Sequence, residues 1–152
     1  MEHVKNISAG SDHSLFLKDD NTLWTTGNNS FGQLGIVSQP GTVSTAEQIT
    51  AYASMAEAGF FHSLVFRIDT TVLQATGQNN YGQFGNPLLP SLSYTLLDVV
   101  GGTNILQLCA GDGFSVLLDA DHEVYVAGLN DRGQLGDNTL TNKTVLTKIK
   151  VY

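Results

Sequence analysis

Positive charge is scarce in this chain: 7 Lys and Arg stand against 14 Asp and Glu, a net charge of −7. Nucleic acid and anionic lipid surfaces both need clustered Lys and Arg, so neither is expected as a partner. The few cations are scattered, with Arg67 alone between Lys18 and Arg132. Cysteine is almost absent. A single Cys109 excludes an intrachain disulfide and any metal site made of cysteines alone. Within its apolar stretch it is expected to pack as a small hydrophobe. No apolar run approaches the roughly 20 residues of a membrane-spanning helix. The first residues, MEHVKNIS, lack the basic and apolar regions of a signal peptide, and the compartment stays unassigned. Charged residues make up only 14% of the chain against 41% hydrophobic, a balance that excludes disorder. The length of 152 residues suits one domain, expected over residues 1–152.

What the chain has in excess is glycine, and the glycines are periodic. TGNNSFGQLG (Thr26 to Gly35) returns as TGQNNYGQFG (Thr76 to Gly85) and as AGLNDRGQLG (Ala127 to Gly136). Upstream of each lies a second block: AGSDHSLFL from Ala9, AGFFHSLVF from Ala58 and AGDGFSVLL from Ala110. Twelve of the 16 glycines fall in four recurring slots, and Gly27, Gly77 and Gly128 give periods of 50 and 51 residues. HSLFL, HSLVF and FSVLL are short apolar runs suited to strands buried on both faces. A polar turn follows each (KDDN, RIDTT, DADHE), then a second short run, which together predict a hairpin. VKNISA and ILQLCA read as a preceding strand, and segments such as VLTKIKV as a following one. Four strands recurring at this spacing are the mark of propeller blades. The expected fold is therefore all-β, with three blades of four antiparallel strands in repeats near 4–51, 52–102 and 103–151.

The pattern AGxxHS, apolar strand, turn, GxNxxGQLG resembles the regulator of chromosome condensation repeat family, from about Val4 to Val151. The third repeat ends GDNTLTNKTVLTKIKV, similar to the bacterial form with its Thr-rich loop. The resemblance implies blades that close into a seven-bladed propeller and loops that grip protein partners on one face. It also implies a phase in which Val4 opens a blade's second strand and VLTKIKV is a first strand. Val145 to Val151 would then complete a blade whose other strands begin at Val4, on this chain or another. Two departures stand out. The histidine slot of His13 and His62 holds Phe114 in repeat three, and the family's WG strand ending appears as TTG, ATG and VAG. Three blades cannot close a ring, because propellers have about four to eight. The chain is therefore expected to be either part of a longer, partial propeller or half of an oligomeric ring, two chains joining head to tail to give six blades.

The side chains offer little chemistry. Asp12, His13 and Ser14 are adjacent in sequence, but neighbours on a strand point to opposite faces and cannot converge as a triad. His13 and His62 are expected to bond to a loop of their own or the next blade. Gln33, Gln83 and Gln134, each between two glycines, are expected to bond the surrounding backbone. Asp19, Asp20, Asp69, Asp119 and Asp121 fall in hairpin turns, where Asp serves turn geometry. DADHE lacks the glycine and terminal Glu of a calcium loop, so no metal is expected. No phosphate-binding glycine loop is present, and no cofactor is expected. Sequons at Asn6, Asn28 and Asn142 carry little weight in a chain rich in Asn and Thr.

No catalytic residue is expected, and the chain is read as a non-enzyme. The loop positions that vary between repeats are the candidates for contact with a protein partner: Phe31, Phe60, Phe61, Tyr81, Asp131 and Arg132. The reading is a protein-interaction module. Guanine-nucleotide exchange or other regulation of a small GTPase is the alternative, beside a propeller-type protein inhibitor of an enzyme. Phe31 and Tyr81 have a second reading, as residues that pack between blades.

Overall fold

A computed structural model of the chain describes residues 1–38 and 40–150. It is all-β, with no helix among the described residues. The first sheet holds β1 (Val4–Ala9), β2 (His13–Lys18), β3 (Leu23–Asn28) and β4 (Thr42–Thr50). The second holds β5 (Ala53–Ala58), β6 (His62–Arg67), β7 (Val72–Gln78) and β8 (Leu92–Thr103). The third holds β9 (Ile105–Ala110), β10 (Phe114–Asp119), β11 (Val124–Gly128) and β12 (Lys143–Ile149). Each is an antiparallel meander in chain order. The sheets stack as propeller blades, β1 beside β5 and β5 beside β9.

The expected phase is corrected by the pairing. β12 lies against β11, with Tyr125 opposite Lys148 and Val126 opposite Thr147. It closes the third blade rather than one begun at Val4, whose β1 already pairs with β2. The reason is local. The loop after Gly128 folds back on itself, and closing a short loop costs less entropy than recruiting a distant strand. Val151, the last residue of the expected strand, lies outside the described residues.

The core sits between blades. Leu15, Leu17 and Leu23 of the first pack against Ala53, Ala56, Ala58 and Val65 of the second. Leu64, Phe66, Leu73 and Phe84 of the second pack against Ile105, Leu108 and Leu117 of the third. Among the described residues, only β6 is buried along both faces, from His62 to Phe66. In β2 and β10 burial alternates, because each has a neighbouring blade on one side only. Burial of these runs on both faces is thus met in the middle blade alone.

Cys109 is corrected for the same reason. It sits opposite Val116 on the uncovered face of the third blade and is exposed. Ile7 on β1 is 69% exposed, while Ala56 and Leu108, at the same place in β5 and β9, are buried.

Leu64 is fully buried between the second and third blades. Leu64→Ala is expected to lower the unfolding free energy by about 3 kcal/mol in chemical denaturation. Leu88→Ala, at an exposed loop position, should change it by less than about 0.5 kcal/mol.

Candidate functional site

In a four-stranded meander the first and third connections lie at the same end. Both glycine-rich blocks of every repeat therefore share one edge of the blade. They are tied together by backbone bonds: Asn28 N–H to Asp12 O at 2.7 Å, Gln78 to Phe61 at 2.8 Å and Leu129 to Gly113 at 2.8 Å. Here the third strand crosses so close to the neighbouring loop that a Cβ on Gly27, Gly77 or Gly128 would lie 2.3–2.4 Å from a carbonyl oxygen. All three also have φ between +103° and +111°, a region that only glycine enters cheaply.

A buried asparagine organises each GxNxxGQ loop. Asn79 Oδ1 accepts from Phe84 N–H at 2.9 Å, and its Nδ2 donates to Pro90 O at 3.0 Å. Asn29 and Asn130 accept from Leu34 and Leu135 in the same way. The glutamines do what was expected of them. Oε1 of Gln33, Gln83 and Gln134 accepts from the backbone N–H two residues earlier, at 2.9–3.0 Å.

The joints between blades are made by histidine and serine. His13 Nε2 lies 2.9 Å from Ser63 Oγ on the next blade, and Ser63 Oγ donates to Gln33 O at 2.7 Å. His62 Nε2 lies 3.2 Å from Ser115 Oγ, which donates to Gln83 O at 2.8 Å. A hydroxyl has one proton, and here it goes to the carbonyl. The serine must therefore accept from Nε2–H, which assigns both rings as neutral Nε2–H tautomers. Each histidine thus reaches the next blade's strand, and the serine there returns the bond to a loop of the histidine's own blade.

Burial removes the charged form of both rings. His13 is pushed down to about 4, with Asp12 opposing the shift, and His62 to about 3, with His13 adding to it. Each Nδ1 is buried without a partner. It faces the AG glycine, where a Cβ on Gly10 or Gly59 would lie 2.3 Å from the ring. Phe114 lies over Gly111 in the same manner. The slot therefore holds a flat ring in all three blades and a hydrogen-bond donor in two.

The loop residues divide into three places along this edge. Phe31 of the first blade stacks on Phe61 of the second, with ring centroids 4.6 Å apart, and Phe60 meets Phe61 edge-on at 4.5 Å. Tyr81 of the second blade lies over Gly113 of the third. Asp131 and Arg132 form an open ion pair at 3.8 Å on the third blade, apart from the aromatics. Phe31 and Tyr81 do pack between blades, yet the group keeps accessible surface: Phe60 is 42% and Tyr81 40% exposed. The hairpin acids sit at the opposite edge in turn roles, as where Asp20 accepts from Thr22 and Asp69 pairs with Arg67. Sequence reasoning passed over Ser63, Ser115 and the three asparagines. The signal was their recurrence at fixed slots of the repeat.

A family model of the regulator of chromosome condensation (RCC1) repeat matches residues 4–33 and 105–134. The dog X-linked retinitis pigmentosa GTPase regulator is 31% identical over 151 residues, covering 95% of this chain and 15% of its own length. Mouse Protein RCC2 is 31% identical over 146 residues, covering 90% of this chain and 27% of its own. Among solved structures, yeast RCC1 (Prp20) bound to Kap60 superposes with a TM-score of 0.86 at 24% identity, over 98% of this chain and 37% of that one. Human WBSCR16 gives 0.82 at 20% identity, over 96% and 37%. These two are likenesses of fold. The chain spans well under half the length of each of these proteins.

The relay gives two expectations. Ser63→Ala strands a buried ring N–H and a buried carbonyl, and should cost about 3 kcal/mol in denaturation. Ser14→Ala, at the same slot on an uncovered face, should cost less than about 0.5 kcal/mol. The histidines are neutral when folded and have ordinary values when unfolded, so the unfolded chain binds more protons as pH falls below about 6.5. Their contribution is complete above that pH and is lost on acidification. Between pH 6.5 and 4.5 stability should fall by about 2 kcal/mol for each of His13 and His62. His62→Phe, with the ring found in repeat three, should roughly halve that slope.

Proposed function

With this chain built of regulator of chromosome condensation repeats, we propose that it is a protein-interaction module. It binds a protein partner through the loop edge of its blades and performs no chemistry of its own. The observation that carries this is the aromatic group of Phe31, Phe60 and Phe61, continued by Tyr81, with Asp131 and Arg132 at the same edge of the third blade. These are part-exposed side chains of the type that anchor protein interfaces, and Phe31, Tyr81, Asp131 and Arg132 stand on loops locked by buried asparagines. They sit where the repeats differ, while the locking residues beneath them are the same. Chains also join head to tail through their uncovered blade faces, two copies supplying six blades.

Regulation of a small GTPase is a second reading, supported by the name of the GTPase regulator among the relatives. A second solved structure of the same yeast Prp20 is described together with its binding properties to Gsp1p and histones. Chromatin binding through DNA is disfavoured here, because a net charge of −7 repels DNA phosphates.

A partner captured by the chain should be lost with Phe60→Ser or Arg132→Ala, each weakening binding about tenfold with unchanged melting. Leu88→Ser should leave binding intact. Binding indifferent to the loop variants overturns the loop-edge reading. Accelerated release of labelled GDP from Gsp1p on adding the chain would favour the second.

A further inference from the structure

At the loop edge the second and third blades meet differently from the first and second. In both joints an aromatic residue of the GxNxxGQ loop reaches over the AG loop of the next blade. Phe31 meets a ring there, Phe61, and the two stack at 4.6 Å. Tyr81 meets Gly113, its Cδ2 2.7 Å from where a Cβ would stand. Glycine offers no ring, so among the described residues Tyr81 has no aromatic partner and its outer side stays open. Phe60 reaches the same loop from the other direction, its N–H on Gly111 O at 3.1 Å. Asp112 lies between Gly111 and Gly113, so it stands between the points touched by the two part-exposed rings. Asp112 is itself exposed, and no cation or hydrogen-bond donor meets its carboxylate among the described residues. This slot stays open even with a blade on either side. Phe60 fills it in the middle blade and is still 42% exposed.

Charge is distributed unevenly between the two edges. Lys18, Arg67 and Lys148 stand at the hairpin edge, over Trp24 and beside Asp69 and Glu123. At the loop edge Arg132 and Lys143 are each paired with an acid, Asp131 and Asp137. Asp12 and Asp112 are left exposed there with no Lys or Arg beside them. We propose that Asp112, Phe60 and Tyr81 together receive an arginine side chain from an exposed segment of the protein partner. The proposal rests on the loop-edge reading above and names the chemistry of what docks there. A lone surface carboxylate holds a cation weakly, because both ions are well solvated. Two rings beside it change that balance. A planar guanidinium lies on an aromatic face while its N–H groups bond the carboxylate, and the rings exclude water from the pair. A neutral or acidic segment gains neither contact. At longer range the net charge of −7 draws basic partners and repels acidic ones.

The test is a titration of the isotope-labelled full chain, followed by amide chemical shifts, with a short Gly-Ser peptide carrying three arginines. The control peptide carries three citrullines, which keep the shape and remove the charge. The arginine peptide should shift the amides of Phe60, Tyr81, Asp112 and Gly113 together, and the citrulline peptide should bind about tenfold more weakly. Asp112→Asn should weaken the arginine peptide about fivefold and Tyr81→Leu about threefold, with melting unchanged. Asp121→Asn removes an equal charge at the hairpin edge and should change binding by less than about twofold. Peptides that bind alike, or a loss from Asp121→Asn as large as that from Asp112→Asn, overturn the arginine site and leave the loop edge as an apolar contact surface. Shifts confined to the hairpin edge, or none at all, overturn it too, and the loop-edge reading then stands or falls by Phe60→Ser and Arg132→Ala. Should Tyr81→Leu melt early, the exposed Asp112→Asn decides the matter alone.

Discussion

Each blade is fastened to the next by a serine hydroxyl whose two partners both lie on the preceding blade. Ser63 is the second residue of β6, buried and paired with Thr76 of β7 within its own sheet. Its proton goes back to the Gln33 carbonyl and its lone pair takes the His13 Nε2–H. Neither partner has water to fall back on, so the bond is required wherever the joint is closed. Much else follows from it. The histidine must lie flat over the edge of its own strand, which leaves no room for a Cβ on Gly10. The glutamine carbonyl must be held at fixed height, which the loop's asparagine does by bonding the N–H of the following leucine or phenylalanine.

This arrangement also explains why the middle blade looks different from its neighbours. Its residues from His62 to Phe66 carry the leading half of one joint and the following half of another, one on each face of the strand. The first and third blades each close one joint. The exposed Ile7 and Cys109 are consequences of that count, since each lies on a face that has no blade against it. Nothing in their own sequence context marks them as surface residues.

The separation between frame and surface is equally physical. Buried hydrogen-bonding residues cannot vary without leaving a group unsatisfied, so asparagine, glutamine, glycine and serine repeat. The residues between them point outward and carry no such debt. Phe31, Phe60, Phe61 and Tyr81 fill that freedom with aromatic surface, and Asp131 and Arg132 fill it with charge. A repeat scaffold of this kind can change partners without changing its fold.

The blades and their number were legible from spacing alone, because a backbone turn that demands positive φ or close approach admits glycine only, and twelve glycines kept time. The relay was half legible: the histidines were read as structural, but the serines were not, since a small polar residue on a strand gives no hint of which face will be buried. The register of the last strand was misread, because β12 could satisfy its edge against β11 or elsewhere, and only the fold-back of the Asn130 loop decides between them. Cys109 was misread because burial of a strand depends on its neighbours in space. The sequence by itself determined the repeat, its turns and its local hydrogen-bonding loops, all of which are interactions within about 50 residues along the chain. Which faces meet, which serine answers which histidine and which apolar residues remain uncovered were decided by the stacking of sheets, since packing between blades is a contact no single repeat contains.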